Sequence, residues 1–136
     1  MLLFELFTTV YPYAIETNTE NKWIAKFWDP KELVPVRFVA IPTHGKGSDQ
    51  WNVGFARGRE TSATGQGNAY KIFSTVIAVF KKFLQDQQPA FVTFTADEVN
   101  RQSLYKKMIA QMANEVGYAL ADDYDTGSEI ELRRIT

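Results

Sequence analysis

Apolar and polar positions alternate with a period of two through the first sixty residues, among β-branched and aromatic side chains bounded by turn formers, and this predicts half-buried strands. Residues 2–10 read as the first strand, which resumes over 13–17 after a break at Pro12, whose missing N–H disfavours a central strand position. A turn follows over 18–21. Residues 22–28, 36–41 and 50–57 repeat the alternation, separated by Asp29-Pro30 and by the polar loop 43–49. This half predicts an antiparallel meander of four or five strands.

The period then changes. Ala69, Ile72, Phe73, Val76, Ile77, Phe80, Phe83 and Leu84 recur in steps of three and four, a wide helical stripe for which Asn68 is the expected N-cap. Pro89 ends that helix, and residues 91–96 read as a buried strand between two helices. A second helix, capped near Asn100, lines up Leu104, Tyr105, Met108, Ile109, Met112, Ala113 and Val116 and stops at Gly117. Residues 118–120 and 129–135 predict a closing hairpin across a turn-rich segment. The expectation is one α+β or α/β domain over residues 1–136, with a mixed, largely antiparallel sheet covered by two amphipathic helices.

Composition narrows the function classes. Fifteen basic against sixteen acidic residues give a formal charge of −1, so no global field draws the chain to nucleic acid or to an anionic bilayer. The absence of cysteine removes disulfides, thiolate nucleophiles and cysteine-ligated zinc, and fits a reducing compartment such as the cytoplasm. The apolar start lacks a basic leader and is interrupted by Glu5, so it reads as a strand rather than a signal peptide. No run reaches the roughly 20 apolar residues that span a bilayer. Nineteen aromatic residues (ten Phe, six Tyr, three Trp) are enough for a large-residue core and for exposed rings that meet a partner.

Candidate chemistry begins at Thr64, Gly65, Gln66, Gly67, Asn68 and Ala69, which join the fourth strand to the first helix. Backbone N–H groups at a helix start lack intrahelical acceptors and carry partial positive charge, and glycines admit close approach, so the turn suits a pyrophosphate or a carboxylate. A glycine turn that merely enters a helix is the alternative. Arg57, Arg59, Lys46 and Lys71 are placed to flank it. His44, the one histidine, lies in a polar loop and reads as solvated, without a metal geometry around it.

The order strand, glycine turn, helix, strand, helix and closing strands resembles the GCN5-related N-acetyltransferase (GNAT) family. That family carries Gln/Arg-x-x-Gly-x-Gly/Ala in this loop; Gly67-Asn68-Ala69 matches its second half, and Thr64 stands where Gln or Arg is usual. Leu104-Tyr105-Lys106-Lys107-Met108 is similar to the family's Leu-Tyr-x-Lys-Met/Leu stretch. The resemblance implies acetyl-CoA as cofactor, transfer to an unidentified amine acceptor, and Tyr105 as the acid that protonates the leaving thiolate. The base would be Glu60, Asp97 or Glu98, and the oxyanion donor a backbone N–H near Phe55 or Ala56. The two helices that the family inserts between its first strands to shape the acceptor site have no room here.

The second half also resembles short proteins of tailed bacteriophages, through Gly-Asn-Ala-Tyr-Lys-Ile-Phe (67–73) and Arg-x-x-Leu-Tyr (101–105). That resemblance implies the cytoplasm of an infected bacterial host, or the virion, as the location. It supports a competing expectation: a non-catalytic virion component or binder of a host protein that uses exposed aromatics such as Trp23, Trp28 or Trp51.

Overall fold

The computed structural model describes residues 10–29, 34–45, 49–57, 66–95, 102–121 and 129–135. In chain order the strands β1 (Tyr13–Asn18), β2 (Trp23–Asp29), β3 (Val34–Pro42) and β4 (Gln50–Arg57) come first. Helix α1 (Gln66–Gln87), strand β5 (Phe91–Thr95), helix α2 (Gln102–Glu115) and strands β6 (Tyr118–Leu120) and β7 (Glu129–Arg134) follow. The seven strands form one sheet in the order β1-β2-β3-β4-β5-β7-β6, antiparallel at every neighbour except β4/β5. The fold is thus α+β, with a mostly antiparallel sheet and two helices, and the meander and the closing hairpin match their expected positions. The strand expected over 2–10 and the cap at Asn100 lie outside the described residues, apart from Val10, which is not in a strand.

Strand parity decides what is buried. Trp23, Ala25 and Phe27 on β2, Val36, Phe38 and Ala40 on β3, Trp51 and Val53 on β4, Val92 and Phe94 on β5, and Ile130 and Leu132 on β7 all point to one face and are buried. On α1, Ile72, Phe73, Val76, Ile77, Phe80, Phe83 and Leu84 meet them. Rings dominate the contact. Trp23 meets Phe38 edge-on at 5.6 Å and Phe83 at 5.6 Å, Trp51 meets Phe83 at 5.4 Å, and Phe80 stacks on Phe94 at 5.3 Å. The buried Trp23 indole also donates from Nε1 to Asp86 Oδ2 at 3.2 Å, which satisfies its polar edge. Helix α2 packs beside α1 in the same layer through the buried Met108, Ile109, Met112 and Ala113, and a Lys81–Glu115 ion pair of 2.9 Å joins the two helices.

These contacts correct one expectation. Trp23 (0 % exposed) and Trp51 (4 %) are core residues and offer nothing to a partner, whereas Trp28 is 53 % exposed. Trp28 lies on the opposite face of the sheet, with Ile41 and Phe91 also exposed, and the Lys26 ammonium sits 5.6 Å from its ring.

Chain ends of the elements are fixed locally. Gln88 takes a positive φ of 49° just after α1 and returns its N–H to the Leu84 carbonyl at 3.0 Å; Gly117, with φ 86°, ends α2 as expected. Thr75 Oγ1 accepts the Tyr11 N–H at 2.9 Å and donates to the Lys71 carbonyl at 2.7 Å, tying the segment before β1 to α1. On β1 the register slips between Ile15 and Thr17, a bulge at Glu16. Glu16 pairs with Lys26 at 3.4 Å and Arg37 at 3.3 Å. Desolvation would raise its pKa, but hydrogen bonds and charge from Arg37 and Lys26 hold the carboxyl below its ordinary value.

Tyr118 is buried with its hydroxyl donating to the Pro89 carbonyl, and burial pushes its pKa up to about 12 against the opposing charge of Arg134. The unfolded chain ionises this phenol near 10, so between pH 10 and 12 it loses the proton that the native state keeps. The stabilisation is therefore complete below pH 10 and falls as pH rises toward 12. Urea unfolding should show that fall in the wild type relative to Tyr118→Phe, with the variant about 1–2 kcal/mol less stable at neutral pH. In the same assay Trp23→Ala should cost about 3–5 kcal/mol, and Trp28→Ala less than about 0.5 kcal/mol.

Candidate functional site

Strand β4 stands at the only parallel pairing among the described strands, and its hydrogen-bond parity shows which peptide groups face which neighbour. The Thr43 N–H donates to the Gln50 carbonyl at 2.8 Å on the β3 side, while the N–H groups of Ala90 and Phe91 donate to the Asp49 carbonyl at 2.9 and 3.0 Å on the β5 side. Alternation along the strand then turns the peptide groups of Asn52, Gly54 and Ala56 toward β3. Those of Trp51, Val53, Phe55 and Arg57 turn toward β5.

Pairing with β3 continues to Arg57, but pairing with β5 runs only from Gln50↔Phe91 to Val53↔Phe94. One further step would bond the Phe55 N–H to the Thr95 carbonyl, and the ladder stops before it. Strand β5 stays paired with β7 through Thr95↔Glu129. The Phe55 N–H therefore faces the β5 side, with no ladder partner there among the described residues. The half-buried Phe55 ring stacks on Phe94 at 6.2 Å and 18°, on the core side of the sheet. A side chain added at Gly54 would meet nothing within 4 Å.

Helix α1 must return the chain from the C-terminal end of β4 to the N-terminal end of β5, so the start of α1 lies at the end of the sheet where β4 ends. Gln66, Gly67, Asn68 and Ala69 are its first four residues, whose N–H groups have no acceptor inside the helix, and the first turn holds no acidic side chain. This is the arrangement in which α/β sheets take ligands, at the C-terminal ends of parallel strands and beside a helix N-terminus.

Asn68 is not the N-cap: the helix already includes Gln66 and Gly67, because a glycine in the first turn is tolerated where packing further along holds the helix. Of the expected oxyanion donors, Ala56 turns its peptide toward β3 and Phe55 turns its peptide toward β5. Tyr105 is the fourth residue of α2, and its side chain lies outside the described set, as does that of Arg57. Thr64, Gly65, Glu60, Asp97, Glu98, Arg59 and Lys46 also lie outside the described residues. Lys71 places its ammonium 4.6 Å from the centre of the Tyr11 ring, a cation–π contact. His44 is exposed in the turn after β3, and no group of three or more acidic or histidine side chains among the described residues could hold a metal ion. No helix among them is long and apolar enough to cross a membrane.

Comparison with known proteins adds one relationship. No curated protein and no solved structure matches the chain. The sequence profile of DUF6934, described as a family of unknown function, matches residues 36–121. That match is more than half of the chain, and it takes in β4, β5, both helices and β6; by it, the chain belongs to the DUF6934 family.

Proposed function

We propose that the protein binds acyl-CoA, or a related anion with an amide-bearing arm, as a reduced GNAT-like domain. The bound molecule lies between β4 and β5, with its pyrophosphate against the start of α1. The observation that carries this reading is the early end of the β4/β5 pairing, which among the described residues stops at Val53↔Phe94 while β4 runs on to Arg57. A ligand with an extended, amide-containing arm would bond to the Phe55 peptide group there, while the N–H groups of Gln66 to Ala69 receive the anionic end. The GNAT resemblance of the sequence agrees with this order of elements, a strand leading through a glycine-bearing helix start to a parallel strand and a second helix.

As an N-acyltransferase, the protein would have the acceptor amine attack the thioester carbonyl. The Phe55 N–H would bind the oxygen as it gains charge, and the C–S bond would break as Tyr105 gives its proton to the leaving sulfur. Glu60, Asp97 or Glu98 would take the proton released by the amine. The competing reading, a phage virion component or binder of a host protein, draws on the sheet face opposite the helices. There Trp28, Ile41 and Phe91 are each more than 40 % exposed.

Calorimetric titration with acetyl-CoA tests the first reading without an acceptor. We expect micromolar binding, weakened at least tenfold in Gly67→Trp with the thermal unfolding midpoint little changed. Absence of heat at millimolar acetyl-CoA would overturn the reading and leave the exposed face as the functional surface. If an acceptor turns over, Tyr105→Phe should lower kcat about tenfold or more while leaving the affinity for acetyl-CoA within twofold, as measured by single-turnover kinetics beside the titration.

A further inference from the structure

We draw no further inference here: the strongest candidate, the polar concavity of about 520 Å³ between the C-terminal ends of α1 and α2, carries nothing, because its guanidinium, Arg134, already caps the Gln88 carbonyl at the end of α1 and its carboxylate, Glu115, is already paired with Lys81.

Discussion

The interlock of Phe80 and Phe83 on α1 with the rings of the sheet is the contact on which the rest of the structure depends. Phe83 touches Trp23, Phe38 and Trp51, three residues on three successive strands, and Phe80 reaches Phe38 and Phe94. Two neighbouring positions of one helix therefore fasten β2, β3, β4 and β5 into a single layer. Full burial of aromatic rings contributes several kcal/mol per side chain, which exceeds what any ion pair on this surface can add.

That interlock also explains how β4 and β5 can be parallel neighbours. Parallel strands need a crossover, and α1 supplies it while burying the half of the β4/β5 ladder that is formed, around Trp51, Val92 and Val53. Beyond that point β4 is still held by β3 and β5 by β7. Each strand keeps a partner on its outer side. The C-terminal end of β4 and the start of α1 come together because the chain must reverse at that end of the sheet.

Much of this architecture is legible in the sequence. The stripe from Ala69 to Leu84 and the alternation in β2 to β4 are strong periodic signals, and both match the structure closely. The tryptophans carry a further signal in their phase. Trp23 shares parity with Ala25 and Phe27 and is buried, whereas Trp28 shares parity with Lys26 and is exposed. A lysine in one phase of the strand and none in the other marks the solvent face from the residue pattern alone. The site is legible only as a place in the chain order. Whether Phe55 or Ala56 turns its N–H toward β5 depends on hydrogen-bond parity across strands, which side-chain patterns do not encode. The Lys81–Glu115 pair across the helix seam is equally hidden, since 34 residues separate its members.

The bulge at Glu16 has a consequence for how the protein behaves in a crowded solution. An edge strand is a template for pairing with another chain, and among the described strands β1 is the longer of the two edges of this sheet, since β6 has three residues. A register slip in the middle of β1 breaks the regular row of donors and acceptors that a second strand would need, and it sets a carboxylate beside that row, tethered to Lys26 and Arg37. Straightening β1 by removing one residue of the bulge would leave the fold's core contacts in place while offering an unbroken edge to any passing strand. By the general behaviour of sheet edges, the irregularity makes β1 a poorer template for edge-to-edge pairing.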